Sequence, residues 1–353
     1  MTTAKIPRHP ADVTPTWLGS VLGVDVRDVD VSAIGTGQTG ATYRVSATYA
    51  TEQPGLPDSF AIKLPAQDDD VRERVALGYL SEFEFYSTVA QRVRVPVPHC
   101  YHSDIAGEGA DFVLLLADMA PAVQGDQIAG CTPQQARLAV EALAGLHGPS
   151  WCDRSWFDLS AIAMPKPGDD SAATGLGDVA KMAADMTLDK LGAAMNAADR
   201  DTLVQAMSVV TPWLSAEPDR FSLMHGDYRL DNMLFDPDGS RVTVVDWQTV
   251  GVGLPARDLA YFTGTSLVPE VRSTIEEDLV NIYHGALLGY GVTDYDLDTC
   301  WHDYRLGVVQ VPLLSALGCA FATSTERGDE IMVVMLERGC RAIRELETLE
   351  LIA

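Results

Sequence analysis

The sequence predicts an α+β chain in two lobes: a smaller N-terminal lobe built on an antiparallel sheet with one key helix, and a larger, mainly helical C-terminal lobe. Three observations carry this. A glycine-rich turn at Gly35 to Gly40 (GTGQTG) leads into two alternating apolar/polar segments joined by a turn-rich stretch. Val71 to Val93 repeats apolar residues at helical spacing, and the second half of the chain is dominated by helical patterns. With 353 residues, 47% of them hydrophobic, the chain can bury a large core and is long for one compact unit.

Thr14 to Leu22 reads as a helix. After the glycine turn, Tyr43, Val45, Ala47 and Tyr49 face one way and Thr42, Arg44, Ser46 and Thr48 the other, as in a half-buried strand. Glu52 to Asp58 (EQPGLPD) turns the chain, and Phe60, Ile62 and Leu64 then alternate with Ala61 and Lys63. The result is an antiparallel hairpin with Lys63 pointing opposite to Phe60 and Ile62.

Asp68, Asp69 and Asp70 suit the positive end of a helix dipole. Val71, Val75, Tyr79, Phe83, Tyr86, Ala90 and Val93 predict one long helix carrying Glu82, stopped by Pro96 and Pro98. Asp111 to Leu116 (DFVLLL) has the apolar character of a buried strand, and Asp118-Met119-Ala120-Pro121 breaks it. The lobe boundary is placed there, giving residues 1–118 and 119–353.

Beyond it, Thr132-Pro133-Gln134-Gln135 has capping-box spacing with proline at the first helical position, and Ala136, Ala139, Val140, Leu143 and Leu146 form an apolar stripe ending at Gly148. Pro165 to Asp178 (PKPGDDSAATGLGD) is a loop by composition. Arg200 to Leu214, Pro269 to Gly289 and most of the chain after Val308 carry helical patterns.

Composition narrows the function classes. A net charge of -25, from Lys+Arg 25 against Asp+Glu 50, disfavours nucleic acid or an anionic membrane as partner, because both reward clustered cations. A cationic substrate is compatible with this charge, although solubility alone accounts for it. Cys100, Cys131, Cys152, Cys300, Cys319 and Cys340 are scattered, with no CxxC pair and no histidine cluster at metal-ligand spacing. They read as buried thiols in a reducing compartment. The polar, proline-punctuated start and the lack of eighteen uninterrupted apolar residues lead us to expect a soluble, cytoplasmic chain; nothing bears on its oligomeric state.

The chemistry is concentrated in Leu223 to Asp246 (LMHGDYRLDNMLFDPDGSRVTVVD), where Asp227 precedes Asn232 by five residues and a valine-rich strand then delivers Asp246. Phosphoryl transfer asks a protein mainly for positioning: a carboxylate to orient the attacking hydroxyl and accept its proton, and oxygen ligands for a Mg²⁺ that bridges the phosphates. Asp227 fits the first role, Asn232 and Asp246 the second. The order of these residues is that of the kinase template, in which a catalytic-loop Asp stands five before a metal-binding Asn and a metal Asp follows a short hairpin. His225 has no partner histidine nearby and reads as structural, and Arg229 and Asp231 read as turn and surface residues. Trp151, Trp156, Trp213 and Trp301 read as core or pocket wall.

HGDYRLDN followed by VVDWQ resembles the aminoglycoside phosphotransferase and choline kinase group, most closely its ecdysteroid-kinase-like and related bacterial branch, where HGD replaces the HRD of protein kinases and DWQ or DFE replaces DFG. The resemblance runs through most of the chain in order: the glycine loop, the lysine strand FAIKL, the helix SEFEFY, the run FVLLLADM, LAGLHG and the catalytic segment. It implies a bilobal protein-kinase-like fold with ATP or another nucleoside triphosphate, together with Mg²⁺, in the cleft between the lobes. It also implies that Lys63 contacts the phosphates and that Glu82, rather than Glu84, holds Lys63 in an ion pair. Gly35, Gly37 and Gly40 would cover the phosphates, although GTGQTG departs from the protein-kinase loop by continuing Gly-Ala-Thr. The backbone of Leu115, Leu116, Ala117 and Asp118 would read the base, and Asp258, in GLPARDLAY, would brace the catalytic loop by hydrogen bonding to its backbone. The implied activity is transfer of the γ-phosphoryl group to a hydroxyl of a small molecule; aminoglycoside, choline, sterol, acyl-chain and sugar acceptors all remain open. The alternative is a nucleotide-binding pseudokinase. No phosphosite-bearing APE-like element follows Asp246, which lowers a protein-kinase reading.

Overall fold

The structure, a computed structural model, describes residues 5–34, 40–162 and 164–352. It divides into two compact units, one of Met1–Gln91, Val97–Ala122 and Val245–Thr249, the other of Arg92–Pro96, Val123–Val244 and Val250–Ala353.

In the first unit, helix α1 (Pro15–Leu22) is started by Thr14, whose hydroxyl accepts from the Trp17 N–H, and stopped by Gly23 in the left-handed region. Strands β1 (Val26–Ala33), β2 (Gly40–Tyr49), β3 (Ser59–Pro65), β4 (Cys100–Ala106) and β5 (Asp111–Ala117) form one antiparallel sheet in the order β1-β2-β3-β5-β4. The hairpin register pairs Val45 with Phe60, and the next step pairs Ile62 with Leu115. These inward residues, with Leu64 and Val113, are buried against Trp17 and Leu18 of α1. Because side chains alternate along a strand, burying Ile62 and Leu64 on that face commits Lys63 to the other.

The long helix expected over 71–93 is three pieces: α2 (Asp69–Arg74), α3 (Ala76–Glu84) and a wider π turn over Phe85–Val89. The break falls at Val75, whose φ of -100° and ψ of 6° leave the helical basin. The π turn closes with the Ala90 N–H on the Phe85 carbonyl at 2.9 Å.

The second unit is mainly helical. Helix α4 (Pro133–Ser150) has the predicted capping box, with Thr132 and Gln135 bonding reciprocally. It is followed by α5 (Asp170–Leu191), α6 (Ala197–Ser208), α7 (Val210–Ser215), α8 (Ala256–Ser266), α9 (Pro269–Gly289), α10 (Leu297–Gly307), α11 (Gln310–Phe321) and α12 (Glu326–Glu345). Short strands complete it: β6 (Val123–Gln124), β8 (Met233–Phe235) and β9 (Val242–Val244) in one sheet, β7 (Ser222–Met224) paired with β10 (Gly251–Gly253) in another.

Two expectations are corrected here. Helix α5 begins at Asp170, inside the stretch that composition assigned to a loop. Asp169 caps it, and Gly177 is glycine because a Cβ there would lie 2.0 Å from the Thr211 hydroxyl of α7. The helical pattern over 200–214 is broken at Val209 into α6 and α7. Leu297–Phe321, apolar enough in composition to cross a bilayer, is the pair α10 and α11, and 67% of its most apolar window is buried.

Candidate active site

In the first unit, Lys63 is held by two carboxylates. Its Nζ lies 2.6 Å from Glu82 Oε2 and 2.8 Å from Asp246 Oδ1. Glu82, on α3, is 1% exposed; Glu84 is half-buried. Burial opposes the charge on Lys63, but Asp246 and then Glu82 outweigh it and raise its pKa, so the ammonium stays protonated. Burial also raises the carboxyl pKa of Glu82, against the pull of Lys63.

Asp246 reaches Lys63 from the segment Val245–Thr249, which packs along α3. Trp247 stacks on Phe85 at 3.7 Å between ring centroids, the Ser81 hydroxyl donates to the Trp247 carbonyl at 3.1 Å, and Gln248 donates to Glu82 at 3.4 Å. Gly78 faces the Gln248 side chain, whose Cβ would lie 3.2 Å from an added Cβ. Asp246 has a φ of 67°, a left-handed conformation that Asp tolerates better than most residues. The helix carrying Glu82 thus also seats the residue carrying Asp246.

The remaining first-unit candidates sit as follows. Leu115 and Leu116 lie in β5, paired with both β3 and β4, and the Ala117 N–H donates to the His99 carbonyl at 2.8 Å. The Asp118 carboxylate accepts from Arg44 at 2.6 and 3.2 Å, from the Ser59 hydroxyl at 2.5 Å and from the Ala120 N–H at 3.1 Å. Arg44, aided by Ser59 and the Ala120 N–H, brings its pKa down to about 2. This carboxylate is committed within the protein. Gly40 opens β2; Gly35 and Gly37 lie outside the described residues.

In the second unit, the loop after β7 carries Asp227 and Asn232. It turns at Gly226, whose φ of 81° favours glycine. The Asn232 amide nitrogen donates to the Asp227 carbonyl at 2.8 Å and to Asp227 Oδ2 at 2.9 Å. Spending that nitrogen on Asp227 turns the amide oxygen to the other side. Asp258, at the start of α8 and fully buried, accepts from the backbone N–H groups of His225 at 2.6 Å and Gly226 at 3.1 Å. His147 approaches the same carboxylate at 3.4 Å, and burial lowers its pKa. The His225 ring is buried and its Nδ1 accepts from the Asp227 N–H at 3.3 Å.

Sequence reasoning missed two partners of Asp227. Arg229, read as a surface residue, lies between two acids: its Nε is 3.0 and 3.1 Å from the two Asp227 oxygens and its Nη1 bonds Asp231. Tyr261 donates its hydroxyl to Asp227 Oδ1 at 2.8 Å. Its position three residues after Asp258 was the available signal, since that spacing puts both on one face of a helix. The single Nε–H of Arg229 is shared between both Asp227 oxygens, of which Oδ1 also accepts from Tyr261 and Oδ2 from Asn232.

Glu217, His302 and Asp303 also bring ligand-type atoms within 4.8 Å of one another. Arg220 already fills that cluster, at 2.7 Å from Asp303 and 2.8 Å from Glu217, which makes it an ion-pair network.

Residues 30–296 match the phosphotransferase enzyme family, APH. Among curated proteins, acyl-CoA dehydrogenase family member 11 of Gallus gallus is 28% identical over 213 residues, covering 54% of this chain and 25% of that protein. The chain thus spans a quarter or less of the length of the curated relatives it matches. Among solved structures, choline kinase from Cryptosporidium parvum Iowa II aligns with a TM-score of 0.57 at 10% identity, covering 92% of this chain and 91% of that one. The GDP complex of aminoglycoside 2'-phosphotransferase-IIIa aligns with a TM-score of 0.51 at 16% identity, covering 88% and 92%. These structures show the fold, an α+β protein-kinase-like arrangement, and the family match covers more than half of the sequence. The chain belongs to the phosphotransferase enzyme family.

Proposed function

We propose that this phosphotransferase moves the γ-phosphoryl group of ATP, or of another nucleoside triphosphate, to a hydroxyl of a small molecule, with Asp227 as the residue that aligns the acceptor. The observation that carries this is the geometry of Asp227: a carboxylate held in place by Asn232, Tyr261 and Arg229. The GDP complex of the aminoglycoside 2'-phosphotransferase supports nucleotide use and leaves GTP as an alternative donor.

Lys63, kept charged by Asp246 and Glu82, has the role of meeting the phosphates. The Asn232 amide oxygen and the Asp246 carboxylate are hard oxygen donors of the kind Mg²⁺ takes one or two of, alongside phosphates and water. Each is a donor of the type this ion takes, and Mg²⁺, if bound, would supply positive charge to offset the charge that develops in transfer. Asp227 orients the hydroxyl for in-line attack and takes its proton as the new oxygen–phosphorus bond forms and the γ-phosphorus–oxygen bond to the departing nucleoside diphosphate breaks.

The test is a transfer assay with ATP or GTP and Mg²⁺ against aminoglycosides, choline, ethanolamine, sterols, sugars and hydroxyacyl-CoA thioesters. Asp227→Asn keeps the shape and the Tyr261 contact but removes the base. It is expected to lower kcat by about 10²–10⁴-fold while nucleotide binding persists. Turnover retained in this variant removes Asp227 from the mechanism, and a wild-type protein that binds nucleotide but transfers to no acceptor is a pseudokinase.

A further inference from the structure

Gln127 is fully buried, and its side-chain amide is used at both ends. Oε1 accepts from the Leu230 N–H at 3.0 Å, and Nε2 donates to the Thr265 carbonyl at 2.8 Å. Leu230 opens the short helical turn Leu230–Asn232, and a turn's first N–H groups have no partner within the turn. Thr265 stands in the last turn of α8, where carbonyls are likewise left over. One side chain therefore satisfies a loop donor and a helix-end acceptor together.

The helix is the same one that fastens the rest of the loop. Asp258 in its first turn holds the His225 and Gly226 N–H groups, and Tyr261, one turn on, holds Asp227 Oδ1. Gln127 adds a third attachment at Leu230, two residues before Asn232.

Gln127 is in turn fixed by Arg338 of α12, which is 6% exposed. Arg338 Nη1 donates to the carbonyls of Gln127 at 2.9 Å and Thr265 at 2.7 Å, and Nη2 donates to the Ile128 carbonyl at 2.7 Å. A cation against the last carbonyls of α8 is also favoured by the helix dipole.

We infer that Gln127 is a positioning residue for the loop Asp227–Asn232, and that Arg338 locks Gln127 in that role. The inference deepens the phosphotransfer reading and rests on it for its catalytic half. Without the Gln127 amide, the Leu230 N–H loses its partner in a dry interior while the Thr265 carbonyl keeps Arg338, so the loop shifts or admits water at Leu230. A displacement of about 1 Å at a reacting group costs about 10²-fold in rate.

The experiment uses the full chain with Gln127→Leu, Arg338→Met and Arg338→Lys. It reads the hydrogen-exchange rate of the Leu230 amide and the kcat and nucleotide KM for an acceptor that the wild type phosphorylates. In Gln127→Leu, Leu230 exchange is expected to rise about 10-fold, the equivalent of one lost hydrogen bond. Its kcat is expected to fall about 10- to 100-fold with little change in nucleotide KM. Arg338→Met moves both in the same direction, and Arg338→Lys, which keeps a charged donor, recovers most of the loss. Unchanged Leu230 exchange overturns the inference, as does unchanged kcat once Leu230 has lost protection. Protection lost throughout the helical unit, with kcat per folded molecule intact, marks a purely structural residue and overturns it too. If the wild type transfers to no acceptor, the phosphotransfer reading fails on its own, and the Leu230 exchange still decides whether Gln127 holds the loop.

Discussion

Asn232 is bonded to Asp227 twice through one nitrogen, to its main-chain carbonyl at 2.8 Å and to its carboxylate at 2.9 Å. The two side chains orient each other: the amide nitrogen is directed at the carboxylate, so the amide oxygen faces away from it.

Asn232→Asp converts this bond into a contact of two carboxylates. Like charges at that separation raise the pKa of one of them above its unfolded value. A raised folded pKa makes the penalty small below about pH 4 and larger as pH rises through the carboxylate range. The variant's deficit in unfolding temperature is expected to be greater at pH 7 than at pH 4. A deficit independent of pH would show that the two groups do not interact.

Lys63→Met removes a cation bonded to both Glu82 and Asp246. Breaking a buried pair from one side costs about 3–5 kcal/mol, because a charge is left without its partner. Adding Glu82→Leu removes the stranded carboxylate, so the double variant is expected to be more stable than Lys63→Met alone. Denaturant titration of the wild type, the two single variants and the double variant checks this, and strict additivity of the two losses would contradict the geometry.

Asp118 is expected to shape the acid limb of stability. Its folded pKa of about 2 is below that of an unfolded aspartate. The stabilisation is therefore present above about pH 4 and drains as pH falls toward 2. Asp118→Asn is expected to be less stable than the wild type at neutral pH, with the gap narrowing through that acid window. Urea denaturation at pH 7, 4 and 2.5 measures it; a gap that widens on acidification would reverse the assignment.

What the sequence made legible followed burial. Strands β2, β3 and β5 lie inside the sheet, so their apolar residues alternate or run together and could be read. Strands β1 and β4 are the edges; Val26–Ala33 and Cys100–Ala106 mix charged or polar residues into both, and neither was anticipated. Helix α5 was hidden because the first part of its buried face is Ala173, Gly177, Ala180, Ala183 and Ala184, small residues whose value lies in close approach. Helical spacing could not show the break at Val75, because periodicity survives a local kink. At the candidate site, Glu82 lies 2.6 Å from Lys63, a pairing for which helical periodicity alone could not choose between Glu82 and Glu84. Arg229 escaped because a cation two residues from an acid reads as a turn; only the fold shows it enclosed by Asp227 and Asp231.

The five residues Val245–Thr249 have a practical corollary for anyone wishing to dissect the protein. They are grouped with the sheet-bearing unit although the chain on either side belongs to the helical one. A fragment ending at Ala122 would expose the Phe85 ring face that Trp247 covers and would strip Lys63 of one of its two counter-ions. Truncation is thus the wrong route to an isolated small unit. A splice that grafts the Asp246-Trp247-Gln248 tripeptide and its neighbours onto the end of that fragment would restore the missing ring, carboxylate and amide together.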